Sequence, residues 1–310
     1  MGNDKKNWGL LLLLACVWGS SFILMKRGMF TISNDPIFSD SQVASLRMTI
    51  AALVLLPFAI NGLKSIKSLK EFALLSVVGF TGNFIPAYLF TFSETGISSG
   101  YAGMLNSFTP IFSMLIGLFI FNVRITLVQF VGLIIGTLGI ILLVLAGSNS
   151  GENLHLVGNW KHVAAIIFAT FLYGISLNTI KHTLQKFKAI EITSLAFLIV
   201  LIPSIAANIK FGTYQTISSN SHALEGLGYI AILSIIGTAF AVILFNKLIT
   251  ATSTLFASSV TYFIPIVAVF IGISFGETIN FGQIAAMMII LIGVFIANYW
   301  GLIFPQKSVK

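Results

Sequence analysis

The feature that most constrains the fold is a series of long apolar segments separated by short polar links. A helix needs about 20 mostly apolar residues to cross the hydrocarbon core of a bilayer. Ten segments meet that requirement, at residues 8–27, 42–61, 72–93, 100–121, 126–146, 162–182, 191–209, 226–246, 254–275 and 281–302. The links between them are too short to hold a soluble domain. The sequence therefore predicts an all-α integral membrane protein with ten transmembrane helices.

The composition also excludes an ordinary soluble protein. Hydrophobic residues make up 57% of the chain and charged residues 8%, whereas soluble domains have about 25% charged residues. A mean hydropathy of +0.99 implies more apolar surface than one soluble core can bury. The lipid bilayer is therefore the expected surrounding of this chain.

The distribution of lysine and arginine predicts the orientation. If the N-terminus lies in the cytoplasm, twelve of the seventeen basic residues lie on the cytoplasmic side and five on the other. Such a bias is typical of cytoplasmic loops, so we expect both termini on the cytoplasmic face of the cytoplasmic (inner) membrane. The same bias explains the net charge of +8 without a nucleic-acid partner.

Two segments at equivalent places in the chain share a pattern. Leu105–Gly117 reads LNSFTPIFSMLIG and Val260–Gly272 reads VTYFIPIVAVFIG, so that Pro110 aligns with Pro265. At the same spacing of 155 residues, residues 18–26 align with residues 173–181. The chain is therefore predicted to contain two related halves of five helices each.

The halves give a domain organisation. We predict a first five-helix repeat over residues 1–146, a linker over 147–161, a second repeat over 162–302 and a cytoplasmic tail over 303–310. Because five is odd, the second repeat enters the membrane from the opposite side. Many secondary transporters are built from such inverted repeats around a central cavity, since two similar halves of opposite orientation can exchange roles.

The two aligned prolines interrupt the hydrogen bonding of their helices. Proline has no N–H, so the carbonyls of Asn106 and Thr261, four residues earlier, lose their helical donor. An unsatisfied carbonyl is costly in lipid, and each site is expected to face protein or a water-filled cavity. A kink packed on a neighbouring helix and a kink that lines a cavity both fit the sequence.

Several stretches match one family of membrane proteins. They are VWGSSFILMK at Val17–Lys26, SLRMTIAALVLLP at Ser45–Pro57, FGETINFGQ at Phe275–Gln283, and the two prolines. On these residues the chain resembles the drug/metabolite transporter superfamily, and within it the EamA-type ten-helix permeases. The resemblance implies a central substrate cavity, with helices 5 and 10 behind it, and transport of amino acids, other small metabolites or drugs. The third helix, TGNFIPAYLFTFSETG, is more polar than the usual pattern.

The candidates for the substrate cavity are polar and aromatic side chains within the spans. A small amphipathic substrate is commonly held by apolar and aromatic walls with a few polar contacts. The candidates are Trp18, Ser21, Lys26, Arg47, Asn83, Asn106, Tyr173, Ser176, Asn178 and Tyr262. Hydrogen bonding between helices is the alternative role for the neutral polar ones.

The charged residues favour an anionic or zwitterionic substrate. Arg47 lies about one turn inside helix 2, and a guanidinium suits carboxylate or phosphate; a structural tie or snorkelling is the alternative. Lys181 is expected to be a cytoplasmic anchor and Lys26 the better cavity residue. No acidic residue lies near the centre of a span, and Glu94, at the end of helix 3, is expected at the rim. This argues against cationic drugs and against a buried carboxylate relay.

Together these patterns predict a secondary, non-ATP transporter of small metabolites. The substrate is expected to be an amino acid or another zwitterionic or anionic compound, moved by alternating access in an exporter or exchanger. Multidrug efflux is the alternative; a channel or a membrane enzyme is less favoured, because no filter sequence and no catalytic constellation is evident. We expect no metal and no cofactor. The pattern Gly132-Leu-Ile-Ile-Gly136 predicts close helix packing, within a monomer or in a homodimer.

Overall fold

A computed structural model of the chain describes residues 2–147, 156–276 and 280–303. Within these ranges the regular elements are helices. In chain order they are α1 (Gly2–Met29), α2 (Asp40–Gly62), α3 (Leu69–Gly79), α4 (Ile85–Glu94), α5 (Ser99–Leu105), α6 (Thr109–Phe121), α7 (Leu127–Gly147), α8 (Leu156–Thr183), α9 (Ala189–Lys210), α10 (Thr213–Ser219), α11 (Ala223–Ser234), α12 (Ala241–Ala251), α13 (Thr254–Ser258), α14 (Val260–Ser274) and α15 (Phe281–Ile303). Most of the predicted linker and tail lies outside the described residues, and α8 begins inside the predicted linker.

Some of the helices join end to end into longer rods. A π-helical turn at Phe80–Phe84 joins α3 to α4, and another at Ile235–Phe240 joins α11 to α12. A 3₁₀ turn at Asn106–Phe108 joins α5 to α6. The unusual polarity of the predicted third helix therefore coincides with a π turn, a feature often found at functional sites.

Eight helical stretches among the described residues are long and apolar enough to cross a membrane. They are Lys5–Met29, Asp40–Ser65, Leu69–Glu94, Ser99–Phe121, Trp160–Thr183, Ala189–Lys210, Ala223–Ala251 and Phe256–Ser274. Each overlaps one predicted span. The fifth and tenth predicted spans correspond to α7 and α15, which contain the shorter apolar segments Leu127–Gly139 and Phe281–Ala297. The prediction of an all-helical, multi-pass membrane protein is confirmed.

Helices α7 and α15 begin in the same way and pack along each other. The amide of Thr126 donates to Gln129 Oε1 at 2.8 Å before α7, and the amide of Asn280 donates to Gln283 Oε1 at 3.0 Å before α15. Each glutamine thus satisfies a backbone donor that a helix start leaves free. Asn280 Nδ2 also donates to the carbonyl of Ala146, at the end of α7 (2.8 Å). The two helices are therefore antiparallel.

The predicted glycine pattern lies in this contact. A Cβ placed on Gly132 would lie 2.4 Å from the carbonyl oxygen of Gly293 and 2.7 Å from the Cβ of Ala297. Only glycine allows the two backbones to approach so closely. The small-residue face of α7 therefore packs within the chain, against α15.

Helices α2 and α9 form a second antiparallel pair. Gln42 Nε2, at the start of α2, donates to the carbonyl of Phe211 just beyond α9 (2.9 Å). Ser65 Oγ, just beyond α2, donates to Glu191 Oε1 in the first turn of α9 (2.7 Å). Each helix of the pair thus anchors the end of the other.

Two further pairs meet through glycine. A Cβ on Gly19 of α1 would lie 2.5 Å from Val267 Cβ of α14, and a Cβ on Gly174 of α8 would lie 2.9 Å from the backbone carbon of Phe112 of α6. In both pairs the first helix of one half packs on the helix of the other half that contains Pro110 or Pro265. The space between these pairs contains the cavity described below.

Candidate functional site

A cavity of about 1000 Å³, including the space at its mouth, lies inside the helix bundle. Its described lining comes from both halves of the chain, and α7 and α15 contribute none of it. The polar lining residues are Ser21, Arg47, Asn83, Asn106, Thr109, Ser176, Thr193, Thr238, Asn246 and Thr261. The aromatic ones are Trp18, Phe22, Phe90, Tyr173 and Phe245. The mixture of apolar walls with a few polar groups is typical of a small-molecule site.

The structure brings seven of the ten candidate residues to this cavity. They are Trp18, Ser21, Arg47, Asn83, Asn106, Tyr173 and Ser176. Lys26, Asn178 and Tyr262 do not belong to the described lining.

The three other candidates lie elsewhere in the bundle. Asn178 is fully buried, and its Nδ2 donates to the carbonyls of Ser113 (2.8 Å) and Gly174 (2.9 Å), which holds α8 on α6. Tyr262 is buried in an apolar cluster. Lys26 follows the lining residue Met25 on α1 and is half-buried. Successive residues of a helix differ by about 100° in direction. A residue at the depth of the cavity in the membrane can therefore still point away from the cavity.

Arg47 is the only charged residue in the described lining. Its Nε donates to Thr238 Oγ1 at 2.8 Å, and its Nη1 lies 3.6 Å from Met25 Sδ. The hydroxyl of Thr238 donates in turn to the carbonyl of Leu233 (2.9 Å), which leaves its lone pairs for Arg47. No described protein acceptor binds Nη2, so this face of the guanidinium is available to a ligand in the cavity.

Each π turn brings the two halves close together. At the first turn, a Cβ on Gly82 would lie 2.3 Å from Ser176 Oγ; at the second, a Cβ on Gly237 would lie 2.8 Å from Ser21 Oγ. Trp18 Nε1 donates to the carbonyl of Gly237 at 3.0 Å. The glycines thus allow the first helix of each half to pack closely against the π turn of the other half.

Aromatic rings form the wall of the cavity between its polar groups. Trp18 and Phe245 make an edge-to-face contact at 4.7 Å between ring centroids. Phe90 contacts Phe22 edge to face and stacks on Tyr173, with centroid distances of 5.9 Å in both cases. Such a wall suits an apolar body on the ligand.

A lysine joins two helices near the end of the cavity away from Arg47, next to the lining residues Ile180 and Ile249. Asn246 Nδ2 donates there to Thr193 Oγ1 at 2.8 Å, joining α12 to α9. Nearby, Lys181 Nζ donates to the carbonyls of Ile249 (3.3 Å), Thr250 (3.5 Å) and Thr252, at the C-terminal end of α12. Beyond any role as an anchor, Lys181 thus caps a neighbouring helix and ties it to α8.

The length of the cavity follows from the α2–α9 pair. Asn208 of α9 accepts a hydrogen bond from Ser45 (2.9 Å) and donates one to Thr49 (2.9 Å), so Arg47 lies near its level. Thr193 lies about 22 Å away from Asn208 along α9, at the helical rise. Arg47 and Thr193 therefore mark opposite ends of an elongated site, which we call the Arg47 end and the Lys181 end.

The carbonyls that the prolines deprive of a donor are satisfied by hydroxyls. The Asn106 carbonyl accepts from the N–H of Thr109, through the 3₁₀ turn, and from Thr109 Oγ1 at 2.9 Å. The Thr261 carbonyl accepts from Ser107 Oγ at 3.3 Å. Asn106, Thr109 and Thr261 also line the cavity, so these breaks both pack on protein and border the cavity.

Glu94 occupies a more enclosed position than the sequence suggests. It ends α4, is only 3% exposed, and interacts electrostatically with Arg47. It does not belong to the described cavity lining. A rim position was expected because Glu94 follows the apolar run, but α1, α2, α5 and α8 pack around α4 and cover this end.

The candidates chosen from the sequence did not include five polar lining residues, Thr109, Thr193, Thr238, Asn246 and Thr261. The repeat could have identified two of them. Thr238 and Thr261 follow Asn83 and Asn106 by 155 residues, the spacing that aligns the prolines. Thr193 and Asn246 have no such signal.

The chain is similar to several membrane proteins along nearly its whole length. An uncharacterized transporter of Archaeoglobus fulgidus is 28% identical, over 94% of this chain and 98% of the relative. The uncharacterized inner membrane transporter YedA of Escherichia coli is 26% identical, over 97% and 94%. A probable amino-acid metabolite efflux pump of Salmonella typhimurium is 25% identical, over 96% of each.

A solved crystal structure supports the fold. It superimposes with a TM-score of 0.68 at 12% identity, over 96% of this chain and 98% of that chain. At the sequence level, residues 6–145 and again residues 160–299 match the EamA-like transporter family. The two matches cover most of the chain, which therefore belongs to the EamA-like transporter family.

Proposed function

We propose that this chain is a ten-helix secondary transporter that carries small metabolites bearing a carboxylate, either an amino acid or another zwitterionic or anionic compound, across the inner membrane. Two inverted repeats, over residues 1–146 and 162–302, would expose the cavity alternately to either face, with both termini in the cytoplasm. The observation that carries the proposal is a cavity between the two halves whose only charged lining residue, among those described, is Arg47.

The positions of the lining residues support two related halves. Nine pairs at a spacing of 155 residues contribute both members to the lining: 18/173, 21/176, 22/177, 25/180, 83/238, 87/242, 90/245, 106/261 and 109/264. The two π turns begin at Phe80 and Ile235, again 155 residues apart. The family also matches the chain twice, once in each half. A cavity built from equivalent positions in both halves is what a repeat-based carrier requires.

Helix directions support the inversion. The last helix of one half, α7, is antiparallel to the last helix of the other, α15, because Asn280 bonds the end of α7. Helices α2 and α9, second in each half, are antiparallel as well. Equivalent helices that run in opposite directions are expected when the second unit is inserted upside down.

The chemistry of the cavity supports a carboxylate. A guanidinium presents N–H donors in a planar fork that matches a carboxylate. Arg47 uses Nε for Thr238 and leaves Nη2 without a described protein acceptor. The name of the Salmonella relative, a probable amino-acid metabolite efflux pump, is consistent with such a substrate.

Uptake into proteoliposomes tests the proposal. Wild type should exchange a labelled carboxylate across the membrane without ATP, and Arg47→Gln should lose at least tenfold of that rate because the charged fork is removed. Arg47→Lys should retain part of it, since it keeps the charge but not the fork. Arg124→Gln, an exposed arginine in the link before α7, is the matched control. Equal rates in Arg47→Gln and Arg124→Gln would reject Arg47 as the binding group.

A further inference from the structure

The charge of the cavity is unbalanced. Arg47 contributes one positive charge, and no described lining residue is acidic. A bound carboxylate without any other charge would neutralise Arg47. A zwitterionic amino acid would neutralise it too but would bring an ammonium, so that one net positive charge remains buried. Burying an unpaired charge in a low-dielectric site is costly.

The backbone carbonyls at the helix breaks, which could bind an ammonium, already accept hydrogen bonds from the chain. In carriers with broken helices, the freed backbone carbonyls commonly coordinate cations. Here the carbonyl of Gly237 accepts a hydrogen bond from the Trp18 side chain. The carbonyls of Asn106 and Thr261 accept hydrogen bonds from the hydroxyls of Thr109 and Ser107, respectively. A cation at these breaks would have to compete with donors that the chain itself supplies.

Glu94 does not supply the missing anion. Its carboxylate interacts electrostatically with Arg47, but it lies outside the described lining. Helices α1 and α2, which pack against α4, bring Lys26, Arg27 and Arg47 to the same end of the bundle. Glu94 therefore adds no anion to the described surface that a ligand in the cavity would contact.

We propose that the preferred substrates are monocarboxylates that have an apolar body and lack an ammonium group, such as 2-hydroxy acids with the side chains of apolar amino acids. This inference rests on the proposed function and narrows its substrate class. The carboxylate binds the Nη2 side of Arg47, and the apolar body lies along the aromatic wall of Trp18, Phe90 and Phe245. The α-substituent meets only neutral groups, which accept a hydroxyl but do not balance an ammonium.

Matched ligand pairs test the inference. Binding of phenyllactate against phenylalanine, and of 2-hydroxyisocaproate against leucine, is measured by calorimetry with the full chain in detergent and by competition in proteoliposome uptake. Within each pair the carboxylate and the apolar body are the same. We expect the hydroxy acid to bind at least tenfold more tightly, and Arg47→Gln to remove most of its affinity.

A charge substitution provides the second arm. Asn83 lines the cavity in the first π turn, which packs against α2, so Asn83→Asp adds an anion with little change in shape. It should narrow or reverse the preference for the hydroxy acid. Asn122→Asp, an exposed residue that caps α6, adds the same charge outside the cavity and should leave the preference unchanged.

The outcomes separate the inference from the proposed function. Equal binding within each pair by wild type, or tighter binding of the amino acid, overturns the inference and leaves a carboxylate carrier in place. A preference that is the same in Asn83→Asp and Asn122→Asp also overturns it. Failure of wild type to bind or move any carboxylate overturns both.

Discussion

The hydroxyl of Ser107 donates a 3.3 Å hydrogen bond to the backbone carbonyl of Thr261. This bond joins the 3₁₀ turn between α5 and α6 to the carbonyl that Pro265 deprives of its helical donor. Both residues are buried, at 1% and 4% exposure. A hydroxyl at the proline-associated break in the first half thus satisfies the carbonyl at the equivalent break in the second half, beside the cavity.

Removing that hydroxyl should destabilise the fold. Ser107→Ala removes the hydroxyl donor of the buried Thr261 carbonyl, and we expect a loss of about 1 kcal/mol of unfolding free energy. Pro265→Ala restores an N–H to the same carbonyl, so Ser107→Ala should cost less in that background. Unfolding in detergent of the two single variants and the double variant measures this coupling.

A second serine provides the control for this experiment. Ser76 Oγ donates to Phe72 O within its own helix (2.8 Å), and that carbonyl keeps a helical donor when the hydroxyl is removed. Ser76→Ala should therefore be nearly neutral. Costs for Ser107→Ala that do not exceed those for Ser76→Ala would contradict the role given to the Ser107–Thr261 bond.

The close glycine contacts should tolerate no added methyl group. In Gly19→Ala the new Cβ meets Val267 Cβ at 2.5 Å, and in Gly174→Ala it meets the backbone of Phe112 at 2.9 Å. The helices must move apart, and we expect each variant to lose about 1–3 kcal/mol with reduced uptake. Gly9→Ala, also on α1, has open space around it and should be neutral or stabilising. If thermal unfolding shows that Gly9→Ala loses as much stability as Gly19→Ala and Gly174→Ala, the close helix contacts at Gly19 and Gly174 are contradicted.

Lys181 should control access from its end of the cavity. Lys181→Met keeps an apolar stem but loses the hydrogen bonds to the end of α12. We expect a cysteine at Ile249, in a Cys16→Ser background, to react several-fold faster with a water-soluble thiol reagent. The control is Lys186→Met, since Lys186 forms an exposed ion pair with Glu71 and such pairs contribute about 0–1 kcal/mol. If both lysine variants react alike, Lys181 does not hold this end closed.

The sequence predicted where the helices cross the membrane and which positions of the two halves are equivalent, but it predicted less well which face of each helix lines the cavity. Apolar length predicted the eight membrane-length helical stretches, and the spacing between Pro110 and Pro265 predicted where equivalent lining residues occur. Asn178 lies only two residues after the lining residue Ser176, yet it points to α6, because two steps turn a helix by about 200°. When most residues of a helix are apolar, the sequence does not show which face of the helix a given polar residue lies on.

Other features depend on contacts between distant parts of the chain. In the sequence, Lys181 is simply a basic residue near a helix end, and only the folded structure shows that three carbonyls at the end of α12 lie beside it. In the sequence, Glu94 has the pattern of a rim residue, and only the packing of the neighbouring helices shows that the end of α4 is covered. Periodicity and charge counts along one segment contain no information about such neighbours.

Distance measurements at both ends of the bundle test the central claim of alternating access. In a Cys16→Ser background, spin labels at Thr183 and Thr250 report on the Lys181 end, and labels at Ile32 and Thr95 report on the opposite end; all four positions are exposed. In lipid nanodiscs with a transported carboxylate, we expect one distance to lengthen while the other shortens. Two distances that change together, or that do not change although the substrate is transported, would contradict a carrier that opens to one face at a time.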